Sequence, residues 1–165
     1  MSKTQIIAEI GMPHVTILRE FAASRELLLR AYTDPAWLVQ WLGPREMTMT
    51  LERLDARAGG TWRYIHRDAA GNTYGFHGIF HNTPSLDGIV QTFEFEGMPG
   101  HVSLETLTFE ERDGKTLVRT NAVYQSVADR DRHLQGGMER GVNDSMERLA
   151  ELLVRLAPTP ADTTA

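Results

Sequence analysis

With 165 residues, 41% hydrophobic and 24% charged, the chain is the size of one globular domain with a sizeable core, and its composition excludes a disordered polymer. Lys and Arg number 17 against 22 Asp and Glu, so the net charge of −5 offers no positive field to phosphate backbones and nucleic acid is not an expected partner. Without a single Cys there is no disulfide, thiolate metal site or cysteine nucleophile, and the absence of a long apolar run or an export signal points to a cytoplasmic protein that does not enter membranes.

Residues 1–12 lack periodicity and end in Gly11-Met12-Pro13, which reads as a loose N-terminal leader. His14 to Phe21 alternates as a strand. Ser24 can cap a helix carrying Leu27, Leu28, Ala31 and Tyr32, and Asp34-Pro35 starts a second short helix through Trp37 and Trp41, which share a face at i and i+4. From Met47 to Gln125 six strand-like runs are separated by RAGG, DAAGN, TPSLD, GMPG and DG. Such short connectors cannot carry parallel crossovers, so an antiparallel meander follows, seven strands in all. Ser126 opens the last element, a long helix whose apolar stripe runs from Leu134 through Met138, Val142, Met146, Leu149, Leu152 and Leu153 to Leu156. The Pro- and Thr-rich residues 158–165 read as a disordered tail.

One long helix covers a stripe of a seven-stranded sheet and not all of it, so a cavity is expected between sheet and helix. If DAAGN closes a hairpin, Trp62 opposes Gly78, Tyr64 opposes Phe76 and His66 opposes Tyr74, which makes one aromatic face. Pairing onward through GMPG adds Phe80, Gln91, Phe93, Phe95, Val102 and Leu104 to that face. Leu107, Phe109 and Val118 then have the wrong parity, and a bulge between Leu104 and Leu107 is expected to repair it. That geometry decides whether Ser103, Glu105 and Tyr124 point inward. Glu105 is expected in water, since an unpaired buried carboxylate is rare, although inward placement next to Tyr124 would make it an acid or base.

The six His do not converge. His77 and His81 stand about 13 Å apart if both lie on one strand, so no metal site and no cofactor is expected. Gly136, Gly137 and Gly141 are unusual in a helix and mark either a break or space left for a ligand.

The motifs Trp41-Leu42-Gly43-Pro44, Arg57-Ala58-Gly59-Gly60-Thr61-Trp62-Arg63, Phe93-Glu94-Phe95-Glu96-Gly97-Met98 and Gly137-Met138-Glu139-Arg140-Gly141 resemble the START-like, or SRPBCC, superfamily, in particular the subgroup related to the activator of the ninety-kilodalton heat-shock chaperone's ATPase. The resemblance spans residues 13–157 and implies an α+β helix-grip fold: a curved seven-stranded antiparallel sheet around a long C-terminal helix, with two short helices after the first strand. It also implies a hydrophobic cavity whose ligand differs between members. The expected function is binding of a small hydrophobic or amphipathic molecule by Trp41, Trp62, Tyr64, Phe76, Phe80, Phe93, Met138, Gly141, Val142 and Met146. The alternatives are a cyclase-like or lyase-like enzyme using Glu105, Tyr124 or His77, and a chaperone-ATPase-activator-like interaction protein. A homodimer through the outer sheet face is left open.

Overall fold

The computed structural model describes residues 2–157, so the expectation for the tail from residue 158 lies outside the described residues. Eight strands form one antiparallel sheet. In chain order the elements are β1 (Gln5–Ile7), β2 (His14–Phe21), α1 (Arg25–Thr33), α2 (Pro35–Leu38), β3 (Thr48–Leu54), β4 (Thr61–Arg67), β5 (Thr73–Ile79), β6 (Ile89–Phe95), β7 (Val102–Arg112), β8 (Lys115–Val123), α3 (Val127–His133) and α4 (Glu139–Leu156). The spatial order is β1-β2-β8-β7-β6-β5-β4-β3, so β3 to β8 make the expected meander and β2 returns to pair with β8. The helices α1 and α2 connect opposite sides of the sheet. The expected α+β helix-grip architecture is therefore present, with eight strands where seven were read.

The additional strand is β1, which lies inside the segment read as a leader. It has three residues, pairs only with β2 (Ile6 opposite Ile17) and leaves Gln5 and Ile7 exposed, so its alternation is too short to register as a pattern. The helix starts follow the caps. The Ser24 side chain accepts from the Leu27 amide, Asp34 accepts from the Ala36 amide with Pro35 in the first turn, and Ser126 accepts from the Asp129 amide. Trp37 and Trp41 separate in role: Trp37 is half-buried beneath the Arg30 guanidinium at 4.2 Å, whereas Trp41 is fully buried and its indole N–H donates to the Ala31 carbonyl at 3.0 Å.

The last helix is broken. A π-helical turn at Leu134–Met138 separates α3 from α4, and inside it Gly137 has φ of +90°, a left-handed conformation that a side chain would oppose. The C-terminal half of α4 inserts Leu149, Leu152 and Leu153 into a core shared with Phe21, Leu28, Ala31, Trp41, Phe109 and Val118. Its N-terminal half, with Gly141, Val142 and Met146, is only half-buried.

Registers decide which side chains meet in front of that half. Across β4 and β5 Trp62 opposes Gly78, Tyr64 opposes Phe76 and His66 opposes Tyr74, as the DAAGN hairpin predicts. The GMPG connection differs from expectation. Glu94 pairs with Val102, so Phe93 faces Ser103, Gln91 faces Glu105 and Ile89 faces Leu107. This register is one residue from the pairing read through GMPG, because the loop holds one residue more than a tight turn at Gly97 to Gly100 would. Since side chains alternate, the one-residue change moves Leu104 to the outer face and brings Ser103, Glu105 and Leu107 inward, while Val102 still borders the cavity. Leu104 is accordingly 44% exposed and Leu107 4%. No bulge is needed in β7, whose pairing with β8 runs unbroken from Leu104 opposite Val123 to Arg112 opposite Lys115; the irregularity of the sheet is in β3, between Leu51 and Arg53.

Candidate functional site

Between the inner sheet face and the half-buried end of α4 lies a cavity of about 780 Å³. Its aromatic wall comes from adjacent strands. Trp62 and Tyr64 stack with ring centroids 5.3 Å apart, Tyr64 and Phe76 at 5.2 Å, and Phe93 packs on Trp62 at 5.9 Å and on Phe76 at 5.5 Å. Phe80 and Trp41 complete that side, while Met138, Gly141, Val142 and Met146 form the opposing wall. All ten residues expected to touch a ligand thus border one space. Exposed Glu46, Arg132, Gly136 and Arg140 form its rim, where Arg140 and Glu46 pair at 3.0 Å.

Glu105 points into this cavity, contrary to the expectation that it faces water. Directly across the β6–β7 pair stands Gln91, and on its other flank, on β8, stands Ala122, whose small side chain leaves the space around the carboxylate open. Among the described residues the Glu105 carboxylate has no hydrogen bond or ion pair. Burial pushes its pKa up to about 7, so at neutral pH it is divided between acid and carboxylate. Three phenols stand within reach of its field: Tyr32 from α1, Tyr64 from β4 and Tyr124 just beyond β8. Each has its pKa raised, first by burial and then by the Glu105 charge. Tyr124 lies against His133, centroids 5.3 Å apart, and its hydroxyl is 4.0 Å from the Met138 sulfur.

Three histidines also border the cavity, His66, His101 and His133. Burial lowers the pKa of His66 and of His133, so both are held toward the neutral form. The Trp62 indole N–H and His66 Nε2 are buried and have no hydrogen-bond partner among the described residues, although both side chains line the cavity. The sequence reading puts His66 and Gln91 on the aromatic face but names neither of them, nor Tyr32 or His133, as a ligand-binding or catalytic residue. Gln91 carried a usable signal: it is a lone polar side chain on the same face of β6 as Phe93 and Phe95.

His77 is elsewhere. It opposes Arg63 across β4 and β5 on the outer face, with Nδ1 3.0 Å from Glu96, and does not line the cavity. Arg63 donates to both Glu96 oxygens at 2.7 and 2.8 Å, which, with His77 beside it, holds the Glu96 pKa down to about 2. This is an ion-pair network on the convex side and is separated from the cavity by the sheet. Among the described residues no three His, Asp or Glu side chains are grouped as metal ligands would be, and no described helix is long and apolar enough to cross a membrane.

Comparison with known proteins places this geometry in context. Ms6760 from Mycobacterium smegmatis is 24% identical over 91% of this chain and 96% of its own, with a TM-score of 0.83. A protein from Rhodobacter sphaeroides is 25% identical over 93% of this chain and 99% of its own, with a TM-score of 0.84. A Silicibacter pomeroyi protein titled AHSA1 is 22% identical over 87% of this chain and 99% of its own, with a TM-score of 0.70. These likenesses establish the shared fold, and no curated protein matches the chain. The sequence profile of the "Activator of Hsp90 ATPase homolog 1-like protein" family matches residues 22–154, which takes in α1, α2, β3 to β8 and nearly all of α4, and the chain belongs to that family.

Proposed function

We propose that the chain binds a small, largely apolar molecule in the cavity between the sheet and α4. The observation that carries this reading is the 780 Å³ space itself, walled by stacked aromatics on one side and by Met138, Val142 and Met146 on the other. A soluble domain ordinarily packs such surfaces against each other at interior density, and a cavity of this size falls in the range of small-molecule sites. An environment-sensitive apolar dye tests it: about one site per chain is expected. Gly141→Leu, which places a side chain at the rim near Pro44, and Tyr64→Ala should each change dye affinity in a protein that still melts cooperatively. Saturating dye binding with no response to either variant would move the site out of the cavity.

A second reading is favoured by one observation, the inward Glu105 with a pKa near 7 beside the Tyr124 phenol. A carboxyl group poised at the working pH is suited to proton transfer on a bound carbonyl compound, as in a cyclase-like or lyase-like enzyme. Deuterium exchange into an acidic C–H position of a bound ketone, lost in Glu105→Gln, would support catalysis. The family's name also carries activation of the Hsp90 ATPase, and a direct ATPase measurement with the purified chaperone tests that role for this chain.

A further inference from the structure

We propose that the cavity selects a hydrophobic molecule bearing a protonated amine, whose ammonium group is held between Glu105 and Gln91. The inference rests on the cavity-binding reading and names the ligand's chemical class.

The polar groups of the inner wall are arranged for a cation. Glu105 and Gln91 are a directly opposed antiparallel pair, which brings their β-carbons to about 5 Å, and both side chains enter the same space. Neither side chain has a hydrogen-bond partner among the described residues, so a carboxylate and a carboxamide oxygen are both available as acceptors. An ammonium group supplies donors to both at once.

The surroundings sharpen the choice. Tyr32 of α1, Tyr64 of β4 and Tyr124 just beyond β8 are close enough for the Glu105 charge to raise their pKa values, so the carboxylate's neighbours are neutral phenols and supply no counter-charge of their own. Among the described residues no Lys lines the cavity. Its two Arg, Arg132 and Arg140, are 55% and 72% exposed at the rim and already stand near Asp129 and Glu46. An acid or phosphate group reaching the inner wall would meet Glu105 with no compensating positive charge. Opposite a purely neutral molecule Glu105 gains no counter-charge and takes up a proton instead, so only a cation draws on its charge.

The test uses three probes of one shape and different charge: 1-pyrenemethylamine, 1-pyrenemethanol and 1-pyrenecarboxylate, titrated by fluorescence into the full chain at pH about 8, where an alkyl ammonium keeps its proton. The amine should bind at least about tenfold more tightly than the alcohol, and the carboxylate more weakly than either. In Glu105→Gln the ratio of amine to alcohol affinity should fall to about one, and Gln91→Leu should lower the same ratio. If the alcohol binds as well as the amine, or if the amine preference survives in Glu105→Gln, the amine proposal is overturned and the cavity reading stands on the alcohol. If none of the three probes binds, both are overturned.

Discussion

The Trp62 ring lies flat on Gly78, its cross-strand partner, so closely that a β-carbon at position 78 would fall 2.6 Å from two ring atoms. The glycine is what allows the indole to lean across β5 and reach Phe93, and thus to build one end of the cavity's aromatic wall. The same added β-carbon would also collide with the Thr92 carbonyl of the neighbouring strand, which cannot rotate away. Gly78→Ala should therefore cost about 2 kcal/mol or more and shift Trp62 fluorescence, with the stability loss read by urea denaturation. An alanine variant as stable as the parent would show that the sheet yields at β5 and that Trp62 is not fixed by it.

The buried carboxyl makes stability depend on pH in a defined direction. Glu105 has its pKa raised from 4.5 to about 7 in the folded chain, so between those values the native state holds a proton that the unfolded state has released. Its contribution is most favourable below 4.5 and is lost as pH rises through 7, at a cost of up to about 3 kcal/mol. His66 and His133 act in the opposite sense. Burial lowers both, so as pH falls below 6.5 the unfolded state takes up protons that the native state resists, and their contribution is lost on acidification. Glu105→Gln should consequently raise Tm more at about pH 8 than at about pH 5. A gain independent of pH, or no gain at all, would mean that the carboxylate finds compensation in the folded chain.

The loop that carries the cavity rim is fastened to α4 by three hydrogen bonds, of which the one from Gly43 to Ser145 is buried. The Gly43 amide donates to Ser145 Oγ at 2.8 Å, and Arg148 donates to the carbonyls of Gly43 and Gln40 at 2.9 and 3.0 Å. Ser145 is 5% exposed, so its removal leaves the Gly43 amide unpaired with little access to water. Ser145→Ala should cost about 1–3 kcal/mol in a denaturant titration. Arg45 pairs with Glu151 on the outside of the same junction, where water screens both groups, and Arg45→Ala should have a much smaller effect.

How far these features could be read from the sequence depended on local rules. Capping by Ser24, Asp34 and Ser126 involves groups two or three residues apart, and the DAAGN hairpin has turn chemistry that sets its register, so Trp62, Tyr64 and Phe76 could be placed on one face before any coordinates. The GMPG connection has no such constraint. Its loop runs one residue longer than its glycines imply, and that single residue decided whether Glu105 met water or the cavity, because register errors in a strand invert every side chain beyond them. The apparent misfit of Leu107 and Phe109 was the symptom. A bulge in β7 is one way to reconcile them, and the shifted register does so with no irregularity. Strand β1 was hidden for a different reason: three residues at a sheet edge bury too little surface to leave a periodic signature.

That edge strand depends on a distant side chain. Arg130 of α3 is 4% exposed, and its guanidinium donates to the Glu9 carbonyl at 2.6 Å, with a longer contact to the His14 carbonyl at 3.5 Å and a pair to Asp131 at 2.8 Å. It thereby clamps the turn between β1 and β2 against the helix that follows the last strand. β1 itself has one neighbour, β2, and few buried side chains, so the clamp supplies a large share of what keeps it docked. In Arg130→Met the Glu9 carbonyl loses its donor while the methylene packing is largely retained. Hydrogen exchange should then show protection at the amides of Gln5–Ile7 falling by about tenfold or more, with β4 to β8 unchanged, because opening of an edge strand is a local event well below global unfolding. Equal loss of protection across the whole sheet would show instead that Arg130 supports the entire fold, and that β1 is an integral part of its cooperative unit.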